Sequence, residues 1–318
     1  MTTYPRKVLV LGASGFIGRA VLKHFLDLGC LVMALEHRVP LGIEHERLIR
    51  VQGSLGELDL KRLPVSPELV VHAARNRSSL FGKWGRAFVA SRGRKENQRL
   101  LLQLKSMERP PVVVYCSGSL MYGSGDEPFT ELSPLRPSSF ARQYVEAELP
   151  FLEAMEERSY PVIMLRLPWV IGNGSWFRWN YMDLMQKGYV PLYGSGERRM
   201  SFVDVAVIPS LILEAYAQQH RGLLNIAHPQ VLTQQEWACL LSLVSGLPVR
   251  PVDTRSGRID KAVLEAFETE AVLESIHEEL QTRLRPLHGE DLEQVVRKYL
   301  QAVKLSEPGV ASASLQDK

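Results

Sequence analysis

Little in this chain marks it as a secreted, metal-binding or membrane protein. Its three cysteines, Cys30, Cys116 and Cys239, fall at no metal or redox spacing, and an odd count argues against a disulfide framework. No metal site is expected. No apolar run approaches the length of a bilayer span, so no membrane partner is expected either. Thirty-eight Lys and Arg against 35 Asp and Glu leave a formal charge of +3, too weak a field to argue for nucleic acid. Internal repeats and low-complexity tracts are lacking. The first strand begins within a few residues of Met1, leaving no room for a signal peptide, and the expected location is the reducing cytoplasm. The sequons Asn76-Arg-Ser78 and Asn173-Gly-Ser175 then carry no weight.

What is present starts at Lys7-Val-Leu-Val-Leu-Gly-Ala-Ser-Gly-Phe-Ile-Gly18, a short apolar strand, a glycine-rich turn and a helix start. Gly12 allows a sharp turn off the strand, Gly15 a close approach of backbone to a pyrophosphate, and Gly18 tight packing of helix on strand. The helix after Phe16 directs its first N–H groups and positive dipole end at the phosphates. A second strand, Leu31 to Leu35, ends at the acid Glu36. Together these predict a dinucleotide site.

Apolar, β-branched runs at 7–11, 31–35, 48–52, 69–72, 111–116, 161–167 and 223–226 alternate with helical patterns at 16–28, 87–107 and 139–158. That alternation predicts an α/β fold, a doubly wound parallel sheet of Rossmann type. Residues 1–170 form the dinucleotide-binding domain, completed by about 201–227. Segments 171–200 and 228–305, with fewer strands expected, form a smaller C-terminal substrate lobe, and 306–318 read as a disordered tail.

With these landmarks in order the chain resembles the extended short-chain dehydrogenases/reductases of the NAD-dependent epimerase/dehydratase type, from about residue 7 to 245. Gly12 to Gly18 is similar to that family's GxxGxxG. Val71-His72-Ala73-Ala74 resembles the motif ending the fourth strand beside the cofactor, and Cys116-Ser-Gly-Ser-Leu-Met-Tyr-Gly123 the one ending the fifth. Leu165-Arg166-Leu167-Pro168, with Gly172 following, is similar to the segment beside the nicotinamide. Phe202-Val-Asp204-Val-Ala206 and Asn225-Ile226 with Thr233 and Glu236 match later family positions.

The resemblance implies a Ser or Thr, a Tyr and a Lys as the acid/base grouping, because a phenol with a pKa of about 10 rarely ionises near neutrality without a nearby cation. Here those positions hold Gly118, Phe140 and Tyr144. The remaining catalytic candidates are Tyr144, Ser117 and Ser119. Tyr144 lies one helical turn past Phe140, where it either reaches the ribose contact of the missing Lys or packs the pocket wall. His72 reads as a strand-end residue satisfied locally rather than as a base, and Cys116 as a small buried hydrophobe.

For the cofactor the resemblance implies Gly12, Ser14, Gly15, Phe16, Ile17, Gly18, Glu36, Arg38, His72, Ala73, Ala74 and Pro168. Glu36 favours NAD, whereas Arg38 two residues on suits the extra phosphate of NADP, so both stay open. Ser54 stands where an Asp usually faces the adenine. A basic stretch with no acid before Glu96 (Arg75, Arg77, Lys83, Arg86, Arg92, Arg94, Lys95) borders the pocket mouth and suits an anionic ligand, or is a solvated face. Arg75, Arg198 and Trp176 are the substrate-contact candidates. Trp176 belongs to the cluster Trp176-Phe-Arg-Trp-Asn-Tyr181, which reads equally as a stacking wall, a lobe core or a dimer contact.

The expected function is an NAD- or NADP-binding atypical reductase, epimerase or dehydratase acting on an anionic or carrier-linked small molecule. The alternatives are a non-catalytic dinucleotide-binding sensor or partner subunit, and a non-redox cyclase or lyase reusing the pocket. A homodimer is compatible with each.

Overall fold

In the computed structural model, which describes residues 4–75, 82–252, 261–289 and 291–304, the seven expected strands form one parallel sheet. They are β1 (Lys7–Leu11), β2 (Leu31–Glu36), β3 (Leu48–Gln52), β4 (Leu69–His72), β5 (Val112–Gly118), β6 (Val162–Leu167) and, after three short strands of the second half, β10 (Gly222–Asn225). Their order is β3-β2-β1-β4-β5-β6-β10. The order reverses direction between β1 and β4, where Leu11 pairs with His72. In such open sheets ligands bind outside the carboxyl ends of the strands at that reversal.

The sheet is covered on both faces, which explains why its strands read as unbroken apolar runs. Val8, Val10, Val32, Val71 and Ile163 meet helix α1 (Phe16–Asp27) and the helices Ile208–Ala217 and Glu278–His288 on one face. Leu9, Leu11, Met33, Val70 and Met164 meet α2 (Gly82–Lys105) and α3 (Arg142–Glu156) on the other. The helical pattern expected from 139 becomes a helix only at Arg142. Residues 139–141 form a turn that Ser138 closes, its carbonyl accepting from Arg142 N. Pro150 lies within α3, where it cannot donate to the preceding turn.

The second half holds more strand than its sequence suggests. β7 (Trp169–Ile171) runs parallel to β9 (Arg199–Asp204), and β11 (Val231–Thr233) pairs antiparallel on the other side of β9. β8 (Val190–Leu192) pairs with β12 (Val249–Pro251). These strands are three to six residues long, too short for a periodicity to register. A third apolar cluster joins them, with Phe177, Tyr181, Tyr193, Phe202, Trp237 and Phe267 nearly solvent-free. Asp204 ties this part to the C-terminal helix Leu292–Lys304, accepting from Tyr299 Oη at 2.5 Å and Lys298 Nζ at 3.1 Å. The expected tail at 306–318 lies outside the described residues.

Candidate functional site

The glycine-rich turn is shaped by contacts that exclude any side chain. Gly12 has φ +82°, and a Cβ there would lie 2.6 Å from Ala74 N. A Cβ on Gly18 would lie 2.0 Å from the carbonyl oxygen of Gly12. Gly15 differs. Its backbone is extended, its own N–H donates to Gly12 O at 2.9 Å, and the residue is exposed. It caps α1 without a side-chain hydrogen bond, so the first N–H groups of the helix, at Phe16, Ile17 and Gly18, meet no side-chain acceptor. An uncapped helix start behind an exposed glycine is a cradle for a diphosphate. The ring of Phe16 forms one wall, closely approached by Gly172 and Gly174 beyond β7, where a Cβ would lie 2.7 and 2.8 Å from it.

At the end of β2, Glu36 accepts from Leu41 N at 2.9 Å and from Gln52 Nε2 at 2.7 Å. These two hydrogen bonds, the backbone one first, hold its carboxyl below the usual carboxylate range. Each oxygen keeps a further lone pair for a sugar hydroxyl. Arg38 is exposed beside it. Ser54 is buried, and its hydroxyl donates to Glu57 Oε2 at 2.7 Å, so it serves its own turn.

The ends of β4 and β5 and the start of α3 bring the remaining candidates together around a cavity of about 30 Å³ lined by His72, Arg75, Asn97, Cys116, Ser117 and Tyr144, among others. Ser117 is committed to packing. Its hydroxyl donates to Glu148 Oε2 at 2.5 Å and accepts from Arg166 Nη1 at 2.7 Å, and that Nη1 lies 2.8 Å from the Glu148 carboxylate. Glu148 and Arg166 are essentially solvent-free. Ser119 is buried at the start of a short 3₁₀ turn, and its hydroxyl has no partner among the described residues. Tyr144 is half-buried, edge-on to Phe140 at 6.0 Å between ring centroids, with the Arg75 guanidinium carbon 5.0 Å from its own centroid. Its hydroxyl is likewise unbonded among the described residues. Tyr122 is fully buried, donates to Asn225 Oδ1 at 2.8 Å and is pushed up to about 12 by burial. Cys116 is also pushed up to about 12 by burial, which makes it inert as a nucleophile at neutral pH.

His72 meets Asn97 of α2, Nε2 lying 2.8 Å from Oδ1, and Asn97 donates in turn to Ala147 O of α3 at 2.6 Å. Burial lowers its pKa to about 4. A histidine kept neutral in the fold takes up its proton only on unfolding, so stability is present above pH 6.5 and is lost as pH falls toward 4. This residue alone is expected to cost about 2 kcal/mol of stability at pH 5 relative to pH 7. Thermal melts at the two pH values measure it, and a midpoint that does not move would contradict the neutral assignment.

The substrate candidates separate. Trp176 donates from Nε1 to Val170 O at 2.8 Å and packs against Trp169 and Phe267, at the third apolar cluster. Arg198 is part-exposed, 3.9 Å from Glu270. Within the basic stretch, Arg92 pairs with the buried Glu96 and Arg94 with the part-exposed Glu146, each at 2.7 Å. Arg77 lies outside the described residues, as do the side chains of Lys83 and Arg86. Arg75 has no acid within ion-pair distance among the described residues.

Comparison with solved structures gives chains of the same architecture. A UDP-N-acetylglucosamine 4-epimerase from Methanobrevibacter ruminantium M1, in complex with UDP-N-acetylmuramic acid, is 19% identical with a TM-score of 0.78, covering 96% of this chain and 100% of its own. A dTDP-glucose 4,6-dehydratase from Bacillus anthracis str. Ames, in complex with NAD, is 17% identical with a TM-score of 0.74, over 95% and 97% of the two chains. A mutant UDP-glucuronic acid 4-epimerase from Bacillus cereus, with NAD and a fluorinated UDP-glucuronic acid, is 17% identical with a TM-score of 0.74, over 94% and 99%. At these identities the likeness is one of fold. A search of curated protein sequences finds no match. The sequence profile of one family matches residues 8–227, well over half the chain, and the chain belongs to the NAD dependent epimerase/dehydratase family.

Proposed function

We propose that the chain is an NAD- or NADP-binding, atypical member of this family that acts on an anionic or carrier-linked small molecule, of the nucleotide-sugar kind, without the usual Ser-Tyr-Lys grouping. The observation that carries this reading is the intact cradle of Gly12, Gly15 and Gly18 at an uncapped helix start, beside positions that hold Gly118, Phe140 and Tyr144. Ser14 and the N–H groups of Phe16, Ile17 and Gly18 would hold the pyrophosphate, and Glu36 the adenosine ribose. The low pKa of Glu36 keeps it ionised and favours NAD by repelling a 2′-phosphate, with Arg38 the residue that would accept one. Backbone at His72, Ala73, Ala74 and Pro168 would flank the nicotinamide. When bound, that ring gives or accepts a hydride.

Proton movement then falls to the hydroxyls left unbonded, Tyr144 and Ser119, because Ser117 is held by Arg166 and Glu148. On the substrate side stand Arg198 and Arg75. Structural neighbours that act on or bind UDP- and dTDP-sugars support an anionic, diphosphate-bearing substrate. The second reading, a dinucleotide-binding protein without turnover, is favoured by the same three substitutions.

Fluorescence titration with NADH and NADPH, followed by absorbance at the reduced-nicotinamide band with nucleotide sugars and acyl thioesters, tests the proposal. Binding with turnover is expected, and no dinucleotide binding would end the proposal. Phe140→Tyr combined with Tyr144→Lys separates the two readings. In an atypical enzyme the double variant loses turnover by about 10²-fold or more, the scale of one general-acid contribution. In a non-catalytic protein turnover appears only in that variant.

A further inference from the structure

We propose that Arg75, lying over the Tyr144 ring beside the bare backbone of Gly118, is a receptor for a carboxylate on the glycosyl end of the substrate. The inference deepens the reading above and rests on it. Arg75 directly follows Ala73-Ala74 at the end of β4, so the strand end that borders the crevice also carries this side chain into it. Its guanidinium lies over the Tyr144 ring at 5.0 Å, and Nη2 lies 3.9 Å from where a Cβ on Gly118 would sit. One arginine side chain therefore faces two of the three positions where family members place their acid/base residues.

Several other arginines are answered by acids. Arg92 meets Glu96, Arg94 meets Glu146, Arg166 meets Glu148, and Arg198 and Arg199 meet Glu270. Arg75 meets none among the described residues, and it is exposed. A cation–π contact with the ring uses no hydrogen-bond acceptor and leaves the guanidinium N–H groups available. Those donors form a planar fork that matches a carboxylate by two parallel hydrogen bonds. A sugar hydroxyl offers such a fork no second acceptor.

The substitutions at 118 and 144 follow from this arrangement. A Lys at 144 would bring a second cation against the guanidinium and remove the ring it lies on. A Cβ at 118 would stand in ordinary contact with Nη2, and a longer side chain would extend into the space in front of it.

The test uses NADH-loaded protein and two probes, UDP-glucuronate and UDP-glucose, which differ only in a carboxylate against a hydroxymethyl group. Calorimetric titration is expected to give UDP-glucuronate the tighter binding by about tenfold or more, the order of one charge-assisted pair. Arg75→Met should abolish the preference while NADH affinity and the melting midpoint hold. Arg75→Lys should keep part of it, Tyr144→Phe most of it, and Tyr144→Lys little. Equal affinities, failure of both sugars to bind NADH-loaded protein, or an unchanged preference in Arg75→Met would overturn the proposal and leave the dinucleotide reading standing. Failure to bind NADH at all removes that reading, and this proposal with it.

Discussion

Gly18→Ala is expected to be among the most damaging single methyl groups that can be added to this chain, and Gly15→Ala, three residues away, to leave the fold nearly untouched while weakening dinucleotide binding. The contrast follows from what each added Cβ would meet. At Gly18 it lies 2.0 Å from Gly12 O and 2.7 Å from Gly12 C, both backbone atoms that cannot swing aside as a side-chain tip does. The turn or α1 must move, at a cost of about 2–4 kcal/mol. For a chain of this size that lowers the melting midpoint by roughly 3–6 °C.

At Gly15 the backbone conformation, φ −78° and ψ 173°, is open to any residue, and the nearest atom to a Cβ is Gly12 O at 3.1 Å. A shift of a few tenths of an ångström absorbs it. The same methyl group stands on the exposed side of the cradle, where it holds a pyrophosphate away from the N–H groups of α1. Loss of one or two charge-assisted hydrogen bonds weakens NADH binding by roughly 10²-fold. Melting curves and NADH titrations of the two variants check the pair together. A Gly15→Ala protein that binds NADH normally would show that the cradle is not the phosphate site. Gly12→Ala should resemble Gly18→Ala, since φ +82° adds about 1 kcal/mol of backbone strain to a 2.6 Å clash with Ala74 N.

That the glycine turn could be found in the sequence is a consequence of its locality. Strand, turn and helix start lie within a dozen residues, and each glycine answers a backbone constraint set mainly by its neighbours. The same holds for the central strands, whose boundaries match the apolar runs to within a residue or two because burial on both faces leaves no alternation to misread. The site is legible only in part for the opposite reason. Arg75 and Tyr144 are distant in sequence, and nothing in either neighbourhood announces that one lies on the other. Asn97, which joins His72 to α3, looks like any polar residue on a charged helix. The aromatic cluster after Gly172 could not be assigned because its partners, Trp237 and Phe267, lie far along the chain. One signal was there to be used. Arg166 interrupts Val162-Ile-Met-Leu165 and Leu167 in a strand with neighbours on both edges, and a charge there requires a buried partner.

That partner makes the second large effect. Glu148→Ala is expected to cost about 3–5 kcal/mol, more than the loss of its hydrogen bonds would suggest, because it leaves Arg166 charged and solvent-free. The arginine is already short of partners, since its Nε and Nη2 make no hydrogen bond. Removing both charges with Glu148→Leu and Arg166→Met should be nearly neutral, or stabilising where the apolar side chains pack well. The double-mutant cycle, read from urea unfolding midpoints at constant slope, separates a buried charge from lost packing. If the double variant is as unstable as the single, the pair contributes through shape and not through charge balance. Catalytic geometry provides an independent readout. The pair grips Ser117, which precedes Gly118 at the end of β5, so the backbone beside Arg75 and Tyr144 is aligned by an interaction one residue behind it. A stable double variant that binds NADH normally but loses its preference between UDP-glucuronate and UDP-glucose would assign Glu148 and Arg166 a positioning role at this site, separate from their part in the fold.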